Sequence, residues 1–215
     1  GYQVSNVTSG LNVPTKNMLE AYEPGDTRFE ASVLIAEGHG PTGSSFVIDT
    51  VVSPVNYTAP PGKVGKPFIN KYNWPHAKVG ETNSNWPIYR YSDALLLLAE
   101  ALNEQGRGGE GLPYLNQVRH RAFAGGGTIA TTDQEQLREI IAHERRIELA
   151  FENKRWLDLV RTGKAIEVMN AHGIEIKQQD PGVNPAAYNV TQDRLIFPIP
   201  RRERQIGGLT QNNGY

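Results

Sequence analysis

The sequence of 215 residues contains no cysteine. A disulfide framework, a cysteine-ligated zinc site and a thiol nucleophile are therefore excluded for it. It has no long apolar run: the longest, Ala94 to Ala99, is six residues, against about 20 for a membrane-spanning helix. Neither sign of charge dominates. Lys plus Arg number 22 and Asp plus Glu 23, for a formal net charge of −1. No stretch forms a basic tail or an acidic arm, so nucleic acid is not the expected partner. What is present is ordinary globular material, 38% hydrophobic residues and 22 glycines, enough for a packed core.

The glycines and prolines are unevenly spread, and that divides the chain. Residues 1–37 read as a short helix and a strand. Pro14 and Thr15 open the helix, which runs to Tyr22 and is broken by Glu23-Pro24-Gly25-Asp26. Ala31 to Ala36 reads as the strand, with Val33, Leu34 and Ile35 at its centre. Residues 38–88 hold 6 glycines and 7 prolines together with Phe46, Tyr57, Phe68, Tyr72, Trp74 and Trp86. Ser45 to Val52 reads as one strand and the rest as irregular. A loop region that long inside a compact domain is functional or disordered. An aromatic-rich one is where a ligand is to be sought.

Residues 89–171 read as helical scaffold. The predicted helices are Tyr91 to Gln105, Glu110 to Ala122, and one from a Thr132/Glu135 capping box to about Glu152. Arg155 to Asn170 follows, bent or split at Thr162-Gly163. Residues 172–215 read as an extended tail, with Arg194 to Ile199 as a strand or edge piece.

The first two long helices carry a countable spacing. Leu95-x2-Leu98-Ala99-x2-Leu102, followed by Gly111-x3-Leu115, matches the tetratricopeptide pattern of large and small residues. Ala99 and Gly111 would let two antiparallel helices approach closely while leucines fill the groove. One such pair cannot bury both faces and needs stacked neighbours. The expected fold is mainly α: tetratricopeptide-like helix pairs forming an α-α superhelix, with long irregular loops and a few short strands.

Five segments also resemble the SusD/RagB family. They are Pro87 to Glu104, Tyr114 to Ala122, Glu144 to Arg161, Phe197-Pro-Ile-Pro200 through Gln211-Asn-Asn-Gly-Tyr215, and Pro14 to Glu23 with Gly25-Asp26-Thr27-Arg28. The resemblance implies an outer-membrane nutrient-binding lipoprotein of Bacteroidetes. Such a protein sits on the outer face of the outer membrane, caps a SusC-like TonB-dependent transporter and passes it oligosaccharide. Family members are roughly twice this length or more. The match is to their carboxy-terminal portion, so the amino-terminal remainder of the same protein is an expected partner. The lipid-bearing cysteine and signal peptide of the family have no counterpart in this sequence, and part of the glycan site would lie in the other half.

Candidate sites follow from residue chemistry. His143-Glu144-Arg145-Arg146 begins like a zinc-protease helix, but its second histidine would fall at Ile147, and the metal reading is rejected. No phosphate-binding, dinucleotide or serine-nucleophile motif occurs, so no cofactor is expected. Glu144 and Glu148 fall on or beside the apolar stripe Leu137, Ile140, Ile141, Ile147, Phe151. Two carboxylates at that spacing repel and demand cations if buried. Arg145, Arg146, Arg155, Arg119 and Arg121 are the candidates. The favoured reading is a structural ion network of Glu144, Glu148, Arg145 and Arg155 that fixes helix docking. The alternative is an acid/base pair of a hydrolase. In the loop region, sugar-binding chemistry needs flat aromatic platforms and planar polar rims. Tyr57, Tyr72, Trp74 and Trp86 are candidate platforms; Asn73, His76, Asn83 and Asn85 are candidate rims. Trp86, close to a helix start, reads more as a pin for the loop, and Trp156 as core. The competing function classes are a tetratricopeptide-type protein-interaction module and a binder of a non-glycan nutrient such as peptide.

Overall fold

The computed structural model describes residues 13–40, 46–73, 78 and 85–215, and forms two compact units, Gly1–Glu152 and Asn153–Tyr215. In the first unit, α1 (Lys16–Leu19) starts where the Thr15 hydroxyl accepts a bond from the Met18 N–H at 3.3 Å. Met18 and Tyr22 then pack with Ile147 and Ala150 in a small apolar cluster. Tyr22 stacks on Phe29 of α2 (Arg28–Ser32) with ring centroids 4.6 Å apart.

The chain next builds a three-stranded antiparallel sheet in the order β2-β1-β3: β1 (Val33–His39), β2 (Val47–Val52) and β3 (Val64–Ile69). The central strand pairs Ile35 with Val52 on one side and Val33 with Ile69 on the other. The register slips at Glu37/Gly38. A side chain at 38 would put its Cβ 2.0 Å from the Val47 carbonyl oxygen, so only glycine fits that irregularity. The strand β3 differs from the irregular reading of this stretch. Gly65 and Pro67 hid it, and both are tolerated because β3 is an edge strand.

The helical layer is α3 (Tyr91–Glu104), α4 (Gly108–Ala122) and α5 (Gln134–Glu148). Gly106, at φ +73°, turns the chain between α3 and α4. The core is Leu95, Leu96, Ala99, Leu115, Val118, Leu137 and Ile141. A Cβ on Gly111 would sit 3.0 Å from the Ala99 carbonyl oxygen, which is the close approach the small residues permit. Leu98 departs from the tetratricopeptide reading. It is 41% exposed, on an outer face of α3 shared with Tyr91 and Leu97, while Leu96 takes the buried place. The cap of α5 is also one residue from the expected one. Asp133 Oδ1, not Thr132, accepts from the Gln136 N–H at 2.8 Å, and Glu135 pairs with Arg138.

The second unit holds α6 (Arg155–Arg161), α7 (Ala165–Gln179) and α8 (Arg201–Gly207). Gly163, at φ +71°, separates α6 from α7. Trp156 is half-buried rather than core. The strand expected at Arg194 to Ile199 is not one. Gln192–Leu195 is a 3-10 turn, and the segment after it bonds to side chains instead of a neighbouring strand. Ile199 N–H donates to Gln211 Oε1 at 2.8 Å, and Gln211 Nε2 donates back to the Ile199 carbonyl at 3.1 Å. Asn212 Nδ2 donates to the Phe197 carbonyl at 2.7 Å and the Tyr215 hydroxyl to that of Ile196 at 3.1 Å. An amide side chain carries one acceptor and two donors, so it can satisfy a backbone N–H and C=O as a strand would. The same device recurs at Asn170 with Val190 and, in the first unit, at Asn116 with Ile129.

Candidate functional site

Helical spacing at i and i+4 lines up Glu144 and Glu148 along α5, and Glu152 follows in the turn after the helix. All three are buried, at 0%, 3% and 2% exposure. Buried carboxylates need cations and donors, and several segments supply them. Arg28 reaches Glu144 at 2.5 Å and Glu148 at 3.1 Å, while its other edge is forked onto Asp26. Arg119 bridges Glu144 and Glu23, each at 2.8 Å. Arg121 and Arg90 hold Glu148 at 2.5 and 2.9 Å. Arg90 also forks onto Glu152, with Nε and Nη2 at 2.8 and 2.9 Å, and Lys71 meets Glu152 at 2.5 Å. Arg145 meets Asp93 at 2.9 Å. Arg155, included in the network from sequence, opens α6 in the second unit. Among the cations seen to hold Glu144 and Glu148, Arg119 and Arg121 were candidates from the sequence, and Arg28 and Arg90 were not.

The electrostatics follow. Burial raises the Glu148 carboxyl, but the Arg121, Arg90 and Ser92 partners outweigh it and hold it down at about 2. Desolvation lowers the Lys71 ammonium against the pull of Glu152. Lys71 Nζ and Arg90 Nη2 also donate to the Glu148 carbonyl at 2.8 Å each, and Lys71 to that of Ala150 at 3.1 Å. Both cations thus cap the C-terminal end of α5, where orphan carbonyls and the helix dipole favour positive charge. An acid/base pair needs a carboxyl that reaches substrate. Glu144 and Glu148 are enclosed and bonded to arginines, so neither presents a free carboxyl to solvent.

On the outside of this network lies an aromatic pair. Tyr72 and Trp86 stack with centroids 4.7 Å apart and planes 22° from parallel. Trp86 remains 51% exposed, and Tyr72 is half-buried. Asn73 and Asn85 beside them in sequence are exposed, with Asn73 Nδ2 donating to Asn70 Oδ1 at 3.2 Å. Tyr57 sits elsewhere, over the sheet. Its ring occupies the space a Gly65 side chain would need, and its hydroxyl donates to Glu37 at 3.0 Å. Trp74, His76 and Asn83 lie outside the described residues. Of the residues read as platforms and rims, the structure stacks Tyr72 on Trp86, with Asn73 and Asn85 next to them in the chain. It packs Tyr57 against Gly65 of β3 and Glu37 of β1. Sequence reasoning missed Glu152, Arg90, Lys71 and Arg28. The signal for Glu152 was the third carboxylate at the same four-residue step.

The SusD family model matches residues 12–215. The chain belongs to the SusD family. It is 36% identical over 164 residues to SusD-like protein P2 of Formosa agariphila, a match covering 71% of this chain and 31% of that protein. A SusD homologue of Bacteroides thetaiotaomicron superposes with a TM-score of 0.65 at 26% identity, over 89% of this chain and 41% of that one. Surface glycan-binding protein A of the same organism, in complex with laminarihexaose, superposes with a TM-score of 0.59 at 28% identity, over 94% of this chain and 41% of that one. The chain thus spans about a third of that curated relative and two fifths of these solved neighbours. SusD-like proteins are binding proteins, not enzymes, and associate with the outer-membrane surface. Among the described residues no helix is long and apolar enough to cross a membrane.

Proposed function

We propose that this chain is the carboxy-terminal part of a cell-surface protein that binds oligosaccharide and delivers it to a SusC-like TonB-dependent transporter. One observation carries the reading: in a SusD-family chain, the stacked Tyr72–Trp86 pair leaves half of an indole facing solvent. A pyranose has apolar C–H faces that lie against such a ring and hydroxyls that reach planar amides such as Asn73 and Asn85. The laminarihexaose complex of a family neighbour supports the ligand class. Trp74 and His76 remain proposed members of the same site. The mechanism is capture and release, with affinity limited by desolvation and ordering at a shallow surface.

A second observation favours a protein contact on another face. Tyr91, Leu97 and Leu98 of α3 are 69%, 37% and 41% exposed, an apolar stripe that a helix pair in a superhelix buries against its neighbour. The amino-terminal remainder of the longer protein is the proposed occupant. The test of the ligand reading is a glycan-array screen of the full-length protein that includes laminarihexaose, with Trp86→Ala and Trp74→Ala beside it. Binding that falls about tenfold or more in Trp86→Ala supports the platform. A hit indifferent to both changes removes this site, and a protein that binds peptides but no glycan overturns the ligand class.

A further inference from the structure

We infer that Glu152 is the positioning residue of the Tyr72–Trp86 pair, a single buried carboxylate that clamps both strands of chain carrying the two rings. The functional half of this inference rests on the platform reading above; the clamp itself does not. Lys71 immediately precedes Tyr72, and Arg90 follows Trp86 by four residues. Both end on Glu152: Lys71 and Arg90 Nη2 share Oε1 at 2.5 and 2.9 Å, and Arg90 Nε takes Oε2 at 2.8 Å. Among the described residues, no other carboxylate in the network is bonded to cations on both sides of the aromatic pair. Glu148 takes Arg90 but not Lys71's ammonium, which it meets only through its backbone carbonyl.

The clamp is built at a cost. The residues on either side of Glu152, Phe151 at φ +65° and Asn153 at φ +59°, lie in the left-handed region. Asparagine tolerates that conformation; phenylalanine does so only under constraint. The strained turn carries the carboxylate past the end of α5, where it meets the two cations. A ring pair that is held before ligand arrives loses less freedom on binding.

The test uses the full chain with Trp74→Phe and Trp156→Phe, which leaves Trp86 as the sole tryptophan of the three. Acrylamide quenching then reads the exposure of that ring without any sugar. Glu152→Gln keeps the shape and removes the charge. Because Trp86 is 51% exposed in the stack, its release raises quenching about twofold. Glu144→Gln, which removes a carboxylate of the same network that touches neither Lys71 nor Arg90, is expected to lower stability and leave Trp86 quenching unchanged. Lys71→Gln reads the clamp from its other side should Glu152→Gln not fold. Unchanged quenching in the clamp variants, or an equal rise in Glu144→Gln, overturns the inference. In a second arm, laminarihexaose affinity is measured for Trp86→Ala and Glu152→Gln, with about a tenfold loss expected in each. Loss in the first without loss in the second overturns the positioning role. No loss in the first removes the platform reading while the quenching result still decides the clamp.

Discussion

Glu148 is the carboxylate on which the stability of the first unit should depend most visibly. The perturbation is Glu148→Gln, which preserves volume and removes one charge from among Arg28, Arg90 and Arg121. Its side chain is 2% exposed, so solvent cannot replace the lost anion. The folded carboxyl titrates at about 2, against an ordinary value of 4.5. Each unit of depression is worth about 1.4 kcal/mol, so the charge contributes about 3 kcal/mol at neutral pH. Breaking a buried ion pair by removing one partner costs about 3–5 kcal/mol, which agrees. The sign follows from the depressed value. The contribution is complete above the unfolded carboxyl's range, declines as pH falls below about 5, and is gone once pH passes through about 2. The assay is urea unfolding of parent and variant at several pH values between 7 and 2. The difference between them should be about 3 kcal/mol at pH 7 and shrink toward zero at the acid end. Taking the difference removes the other carboxylates, which titrate in both proteins. A variant as stable as the parent at pH 7, or a gap that does not narrow with acid, would refute the reasoning.

Two further outcomes follow from local geometry. Asp133→Ala should cost about 1 kcal/mol in urea unfolding because Asp133 caps α5, whereas Thr132→Ala should be close to neutral. In the second unit, Gln211→Ala should free the Ile199 amide, read as faster hydrogen exchange there with the exchange of α7 amides unchanged, because the glutamine amide is the partner of that backbone pair.

The long helices α3, α4 and α5 were legible because each carries an apolar period and a glycine or polar break, whereas α8 lies in the stretch read as an extended tail. Gly106 and Gly163 mark ends that the structure keeps. The strand β3 was not legible, since Gly65, Lys66 and Pro67 lack any strand signature; what makes it a strand is its pairing with β1. The Tyr57 ring illustrates the same limit. Its place over Gly65 depends on two segments meeting, and the local sequence of neither shows it. The burial of Glu144 and Glu148 could be anticipated from their place on the apolar stripe of α5. Of their partners, Arg119 and Arg121 were candidates; Arg28 and Arg90 were not, because Arg28 lies 116 residues from Glu144 and Arg90 lies 58 from Glu148. Periodicity identifies what one helix buries, and only the fold reveals what arrives from elsewhere to meet it.

That distance has a physical consequence for how the unit is assembled. The α3–α4–α5 core is leucine, isoleucine, valine and alanine, and apolar contacts tolerate small slides of one helix along another. The ion network does not. Glu144, Glu148 and Glu152 are satisfied together only when α2, the Lys71 turn, the start of α3 and the end of α4 all stand in one arrangement. A slide of one helical turn would leave a buried charge without its partner, at several kcal/mol. The same constraint reaches the surface through Lys71 and Arg90, whose neighbours Tyr72 and Trp86 form the stacked pair. The placement of an exposed ring is therefore set by a buried carboxylate, and a loop region rich in glycine and proline acquires a fixed point that its own sequence does not provide.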